Sequence, residues 1–470
     1  MSKQMYDFGL VGLGVMGHNF ILNVADHNFT VCGLDVDQKK VDSLIAAGGN
    51  TEKVNATTEV ETFVASLSAP RKIMLLIPAG KLVDRAIQNL QPYLEKGDIV
   101  IDGGNSYFTD TDLREAWLRE KGVSFFGAGV SGGAEGARRG PSIMPGGNRE
   151  AYEYIRPVFE AAAAKFKGEP CVTWLGPRSA GNYVKMIHNG IEYGLMQLIS
   201  EVYDLLKKVG GLNNDDLSEA FGQWNNGRMQ SFLIEITAGI LRQSDDRGEG
   251  RLVDKILDKA KQKGTGKWTS QNAMDLGIPI PTIDVAVSMR EISALKEMRV
   301  QADEMYDRPK PVATDQANLL TLAEEALYFS FIVTYAQGLH QLIEASDSYD
   351  YELDLAAVAR IWRAGCIIRA ALLDDISKAF EEKPDLRNIL LSPPLAKKVG
   401  ETIGSAREVI ALGVKSGVPL AGLSSALNYF HAFTSGRLPL NLIQAQRDHF
   451  GAHTYERIDE EGIFHTEWNK

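Results

Sequence analysis

The chain has 470 residues, 44% of them hydrophobic and 24% charged, which is the composition of a globular protein too long for a single core. Its formal net charge of -11 argues against a nucleic-acid partner, because phosphate-backbone binding needs a basic footprint, whereas a small anionic ligand needs only a local basic pocket. No unbroken apolar run reaches the roughly 18 residues that a spanning helix needs, so no membrane partner is expected, and the widely spaced Cys32, Cys171 and Cys366 fit neither a disulfide framework nor a zinc site.

The N-terminus, Met1 to Asp7, leads into an apolar stretch that soon breaks at Gly12 and Gly14, too short for a signal peptide. With the cysteine usage, this points to a cytoplasmic protein. Apolar runs at 8–11, 30–34, 72–77 and 99–101 read as buried parallel strands, separated by helical patterns such as 16–27 and 81–95. Strand alternating with helix predicts a Rossmann-like, doubly wound α/β domain over residues 1–178.

The first strand runs into Gly12-Leu13-Gly14-Val15-Met16-Gly17, a complete G-x-G-x-x-G. The first glycine allows the tight turn, the second lets the backbone approach a pyrophosphate, and the third lets the helix pack closely with its N-terminus towards the phosphate. An acidic residue, Asp35, ends the next strand, which completes the context of a dinucleotide site. A carboxylate there accepts from a ribose 2′-hydroxyl and repels a 2′-phosphate. Val36 and Asp37 follow it, so no arginine stands ready for that phosphate, and the nearby cations are Lys39 and Lys40. This chemistry favours NAD over NADP.

Two further glycine-rich loops, Asp102 to Ser106 and Gly129 to Gly133, each follow a strand-like run. Loops at the carboxyl ends of strands are where ligands bind in open α/β sheets. Asn105 can orient a hydroxyl or an amide, and Ser131 with the backbone N–H groups of Gly132 and Gly133 can hold an oxyanion.

After Pro177 helical periods dominate: 181–209, 214–242, 250–262, 281–302, 314–345, 353–383, 395–416 and 420–435. An all-helical domain is expected over 179–435. In its first helix, Lys185, His188, Asn189 and Glu192 share one face. An amine, an imidazole, an amide and a carboxylate turned one way suit acid/base chemistry, although a Lys/Glu pair on a solvated face has the same spacing. Gly194 to Ile199 recurs as Gly338 to Ile343, and Gly277-Ile278-Pro279 as Gly417-Val418-Pro419, at offsets of 144 and 140 residues. This reads as an internal duplication in which only the first copy carries the polar face, although short apolar words also match by chance. Residues 436–470 form a tail whose Phe450, Tyr455, Phe464 and Trp468 predict that it docks on another surface, such as a second subunit.

Taken together, these motifs resemble the decarboxylating 6-phosphogluconate dehydrogenases over essentially the whole length. The resemblance rests on Gly12 to Gly17, Asp102 to Asn105, Gly129 to Arg138, Lys185 to Tyr193, Lys263-Gly264-Thr265-Gly266-Lys267-Trp268 and Gln444 to His453. The shorter β-hydroxyacid dehydrogenases share the glycine loop and the helix lysine but lack the last two segments. The resemblance implies oxidative decarboxylation of 6-phosphogluconate to ribulose 5-phosphate in the oxidative pentose phosphate pathway, with Lys185 as general base and Glu192 as general acid. It places Asn105, Ser131, Gly132, Gly133, His188 and Asn189 at the sugar-acid end. It places Tyr193, Lys263, Thr265, Arg290, Arg447 and His453 at the phosphate end. In the family the last two come from the partner's tail, which implies a homodimer. Cofactor contacts are expected from Gly12 to Gly17, from Asp35, Val36 and Asp37, from Ile77, Pro78 and Ala79, and from Asn105. NADP-dependent members usually carry Asn-Arg-Thr at 35–37 and a lysine at 78, so the departures fall on the family's usual cofactor preference and leave its activity untouched.

Overall fold

The computed structural model describes residues 5–49 and 51–468. Met1 to Gln4, used in the reading of the N-terminus, and Lys470 at the end of the tail lie outside the described residues. The strands are β1 (Phe8–Val11), β2 (Val31–Leu34), β3 (Val54–Thr57), β4 (Lys72–Leu75), β5 (Ile99–Asp102), β6 (Ser124–Ser131) and β7 (Ser142–Gly146), in the sheet order β3-β2-β1-β4-β5-β6-β7. The first six run parallel, and β7 pairs antiparallel with β6. Strand order reverses between β1 and β4, which opens the crevice where such sheets bind dinucleotides. Apolar layers cover both faces of the sheet, which is why β1, β2, β4 and β5 are legible as apolar runs.

The segment 129–133 differs from its expected form. The strand continues through Gly129, Val130 and Ser131, paired with Met144, Ile143 and Ser142, and the loop begins only at Gly132. Glycines in this hairpin make room for the helix Ala180–Lys208. A Cβ at Gly127 would strike Asn182, one at Gly129 would strike Lys185, and one at Gly146 would strike the Gly181 backbone. The first turns of that helix therefore lie directly on the hairpin, which brings Lys185 to the edge of the Rossmann-like sheet.

Helices dominate from Ala180 onward, and their order repeats. Ala180–Lys208, Asn214–Trp224, Phe232–Arg242, Thr265–Leu276 and Pro281–Ala294 are followed in the same sequence by Gln316–Tyr349, Leu355–Ile361, Leu372–Glu382, Pro393–Lys415 and Ala421–Phe433. Gly277 and Gly417 adopt matching left-handed conformations, φ 71° and 65°, ahead of the last helix of each set. Each long helix also caps the other set's last helix. Glu201 accepts from the Gly422 and Leu423 N–H groups, and Gln337 accepts from Thr282 N. At the 144-residue offset, the polar face maps onto Phe329, Ile332, Val333 and Ala336, all buried, so the second copy is scaffold.

Several expected helices break. The 214–242, 281–302 and 353–383 stretches each split in two. The helix expected over 250–262 does not form beyond a short 3-10 turn, Leu252–Lys255. Tertiary ion pairs hold the segment instead: Asp258 receives Lys296 at 2.7 Å and Arg299 at 3.0 Å, and Arg299 also donates to the Asp258 carbonyl. By length and composition alone Gln316–Tyr349 is apolar enough to cross a membrane, yet 72% of its apolar window is buried within the fold. It is the core helix of the helical region.

Candidate active site

The glycine loop leaves one face open. Gly12 sits at φ 97° with its would-be Cβ against Ile77, and Gly17 presses on the Gly12 carbonyl. Nothing lies within 4 Å of a Cβ at Gly14. Gly14 is also the N-cap of Val15–Asp26, a helix with no capping side chain and no acid in its first turn. An open N-terminus of this kind suits a pyrophosphate. Asp35, buried at the end of β2, accepts from Leu13 N at 2.8 Å and Asp37 N at 3.0 Å, and Lys40 lies 3.4 Å from its carboxylate. Lys40 is thus paired with the carboxylate rather than simply solvated. Asp37 caps the next helix through Lys39 N, and Val36 is 97% exposed.

Across the crevice, the loop after β4 carries Ile77 with Pro78 and Ala79 exposed, and the loop after β5 carries an exposed Asn105. Asn105 stands between two anchored neighbours. Ser106 Oγ donates to Asp102 Oδ2 at 2.6 Å, and Gly104 N donates to Asp102 Oδ1 at 2.9 Å. Asn182 Nδ2 donates to the Gly104 carbonyl at 3.4 Å, which links this loop to the helix one turn before Lys185.

On that helix, Lys185, His188 and Asn189 are buried and in mutual contact. Lys185 Nζ donates to Asn189 Oδ1 at 2.7 Å and lies 3.5 Å from His188 Nδ1. His188 Nε2 is 3.2 Å from Ser131 Oγ, and His188 Nδ1 is 3.9 Å from Glu192 Oε2. Burial lowers the Lys185 amine from its ordinary range, against the opposing pull of Glu192. Burial likewise raises the Glu192 carboxyl, against Lys185 and Arg290. Burial and the Lys185 charge hold His188 far below its ordinary value, so it is neutral. The face is therefore an amine and an acid moved towards each other, with a neutral imidazole between them.

One residue further on, Tyr193 is clasped. The Arg290 guanidinium lies 3.5 Å from its ring centroid, and Gly266 lies flat against the ring, where a Cβ would meet Tyr193 Cε2 at 2.5 Å. Gly266 and the buried Thr265 open the helix Thr265–Leu276, and Lys263 is exposed just before it. Arg447 and His453 are not in this group. Both are exposed on the tail, whose hydrogen bonds join its own residues.

Residues 7–176 match the NAD binding domain of 6-phosphogluconate dehydrogenase, and residues 181–468 match the 6-phosphogluconate dehydrogenase C-terminal domain. The chain belongs to the 6-phosphogluconate dehydrogenase family. A 6-phosphogluconate dehydrogenase of Bacillus subtilis, named as NADP(+)-dependent and decarboxylating, is 51% identical over the whole of both chains. The decarboxylating 6-phosphogluconate dehydrogenase of Escherichia coli is 49% identical, also over the whole of both. The Plasmodium falciparum 6-phosphogluconate dehydrogenase, solved in its apo form and with NADP+ and with 6-phosphogluconate, superposes with a TM-score of 0.95 at 42% identity. That match covers 98% of this chain and 100% of the other. The chain is thus an oxidoreductase that oxidatively decarboxylates 6-phosphogluconate with a nicotinamide dinucleotide.

Several residues around this dehydrogenase site leave no readable signal in the sequence. Trp362 packs edge-on to the His188 ring, with centroids 5.7 Å apart, and Ile367 N donates to Ser131 Oγ at 3.4 Å. Gly132, at φ 128°, lies under the Gly365 carbonyl. The second helical copy therefore supplies the back wall of a site whose polar groups come from the first. Asp102 stands inside a motif read for its glycines and asparagine, and its anchoring part is visible only in the fold.

Proposed function

We propose that Lys185 and Glu192 are the base and the acid of this reaction. Their shared, largely buried face carries the reading, because burial drives the amine down and the carboxyl up two turns apart on one helix. When bound, the nicotinamide supplies the hydride acceptor. Neutral Lys185 takes the C3 hydroxyl proton of 6-phosphogluconate as hydride leaves C3. The C3 ketone then accepts the electron pair released as the carboxylate departs as carbon dioxide, and the Lys185 ammonium stabilises the enolate oxygen. Glu192 protonates the carbon that lost carbon dioxide, C1 of the enediol, to give ribulose 5-phosphate.

In this reading Asn105, Ser131, Gly132, Gly133, His188 and Asn189 hold the sugar-acid end, and Tyr193, Lys263, Thr265 and Arg290 hold the phosphate. Arg447 and His453 complete the partner's phosphate site in a homodimer. The tail supports this: it exposes Leu442, Ile443 and Phe450 at 61%, 50% and 73%, and among the described residues its helix Leu440–Gly451 packs substantially on no other helix or strand. The chain divides into a dinucleotide domain (1–178), a helical domain (179–435) and the reaching tail (436–470). Gly12 to Gly17, Asp35 to Asp37, Ile77 to Ala79 and Asn105 hold the dinucleotide, with NAD preferred over NADP. That preference is supported by Asp35, by the pairing of Lys40 with it, and by the absence of a cation at Val36 or Pro78. Three buried free thiols fit a reducing cytoplasm.

The test is formation of reduced cofactor from 6-phosphogluconate with NAD and NADP side by side, in the wild type and in Lys185→Ala and Arg447→Ala. Turnover should be lost in the first variant, KM for 6-phosphogluconate should rise in the second, and kcat/KM should favour NAD. Normal turnover by Lys185→Ala, an unchanged KM in Arg447→Ala, or a clear NADP preference would each refute the corresponding assignment.

A further inference from the structure

Arg114 is only 4% exposed, yet it lies on the helix Phe108–Arg119 outside every motif named above. Its guanidinium spends each edge on a different loop. Nη2 donates to the Gly80 carbonyl at 3.2 Å, at the end of the loop after β4, and Nε donates to Asp84 Oδ1 at 2.8 Å, in the first turn of the helix Lys81–Leu90 that follows it. Nη1 donates to Ser106 Oγ at 3.1 Å and to Asp102 Oδ2 at 3.4 Å, at the end of β5. A plain ion pair would have carboxylates alone as partners. Here two of the four acceptors are neutral groups of the loops themselves, a carbonyl and a hydroxyl, reached by a rigid planar fork. One of these loops exposes Pro78 and Ala79, and the other exposes Asn105 between the two residues that Asp102 anchors.

We infer that Arg114 is a positioning residue for the dinucleotide, clamping the loop after β4 to the loop after β5 so that Ile77 to Ala79 and Asn105 face the cofactor at a fixed separation. The clamp rests on the reading that the dinucleotide lies across these loops. It touches neither substrate nor cofactor, and it stands apart from the phosphate-end group of Tyr193, Thr265 and Arg290. A solvent-open cavity of 540 Å³ lined by Gly80, Asp84, Asp110 and Arg114 borders the space that Arg114→Ala would vacate.

The experiment measures binary dissociation constants for NADH and for 6-phosphogluconate in the full chain, with melting temperature recorded for each variant. Arg114→Ala should weaken NADH by at least about tenfold and 6-phosphogluconate by no more than about threefold, since Ile77 to Ala79 serve the dinucleotide alone and, of the clamped groups, only Asn105 also serves the substrate. Arg114→Lys should fall between, and millimolar guanidinium should restore part of the NADH affinity of Arg114→Ala. Equal weakening of both ligands, or unchanged NADH binding in a folded variant, overturns the clamp. If Arg114→Ala does not fold, Ser106→Ala removes one arm, and a roughly two- to fivefold loss for NADH, larger than any loss for 6-phosphogluconate, is expected. Unchanged NADH binding there overturns the clamp as well. A wild type that binds neither NADH nor NADPH would instead sink the dinucleotide reading, and the clamp with it, while one that binds NADPH alone moves the same comparison to that cofactor.

Discussion

The stem of Lys185 lies directly on Gly129: a Cβ built at Gly129 would fall 2.6 Å from Lys185 Cγ and 3.2 Å from Cδ. The amine therefore reaches Asn189 from a stem pressed against bare backbone of β6. Gly129→Ala should push the stem off the strand and shift the amine by the order of an ångström. A displacement of that size costs about a hundredfold in a positioned reaction. The expected outcome is a fall in kcat of about 10²-fold with NADH binding unchanged, checked by steady-state kinetics beside a binary NADH titration. A kcat within a factor of two of the wild type would show that the amine does not depend on this contact.

The opposed shifts of Lys185 and Glu192 set the form of the pH profile. Lys185 must be neutral to act as a base, so kcat/KM should rise with pH through its lowered pKa. Glu192 must hold its proton, so activity should fall as pH passes its raised value. The limbs report the pair rather than either residue alone. In Glu192→Gln the alkaline limb should disappear and kcat should drop by about 10²- to 10³-fold. An alkaline limb that persists unchanged in this variant assigns the acid elsewhere.

Removing Lys185 should move stability in the opposite sense to activity. A lysine whose pKa is lowered in the folded state binds fewer protons there than in the unfolded chain. Its burial therefore costs stability below the lowered value, and the cost fades as pH rises towards the ordinary lysine range. Lys185→Met should abolish turnover yet raise the melting temperature at neutral pH by roughly 1–3 °C, the gain expected when a strained functional charge is removed. A lower melting temperature would mean that the hydrogen bond to Asn189 outweighs the burial cost.

Asp35 and Val36 carry the cofactor choice. Asp35→Asn keeps an acceptor for Leu13 N while releasing Lys40 from its carboxylate, and Val36→Arg puts a guanidinium at a 97% exposed position beside it. The double variant should lose about tenfold in kcat/KM with NAD and gain at least as much with NADP, each tenfold step being about 1.4 kcal/mol. If the ratio does not move, the discrimination lies outside this turn.

What the sequence made legible follows from where each signal is written. Strands buried on both faces, such as Val31–Leu34, stand out as apolar runs. Val54–Thr57 at the sheet edge alternates with polar residues and passes for loop. The polar face was readable because helical spacing alone brings 185, 188, 189 and 192 together. Thr265–Leu276 was missed because Thr265-Gly266-Lys267-Trp268-Thr269-Ser270 has no apolar stripe, its buried side being chosen by packing on Tyr193 and Met186. The supports were invisible for a related reason. Ser131 meets Ile367 across 236 positions of sequence, and Trp362 backs His188 from the other helical copy, relationships that no local pattern encodes.

The tail makes the same point, since its aromatic residues advertised docking while its organiser did not show. Asp448 is fully buried in an otherwise exposed segment and takes four hydrogen bonds: Thr454 N and His465 Nδ1 on one oxygen, Thr466 N and Trp468 Nε1 on the other, at 2.9–3.0 Å. Burial opposes the charge, but these donors outweigh it and hold the carboxyl well below the usual carboxylate range. The staple should therefore persist through ordinary acid and fail only as pH falls through that depressed value. Its neighbours in the chain are Arg447 and, after one turn, His453, so it sets the shape in which both would reach a partner in the proposed homodimer. Asp448→Asn replaces one oxygen with an amide nitrogen that cannot accept, leaving two donors without a partner. KM for 6-phosphogluconate should rise by about tenfold, and the dimer should dissociate at higher protein concentration in sedimentation, while NADH binding stays unchanged because the dinucleotide loops lie outside the tail. A variant with unaltered KM and unaltered assembly would separate Asp448 from the presentation of Arg447 and His453.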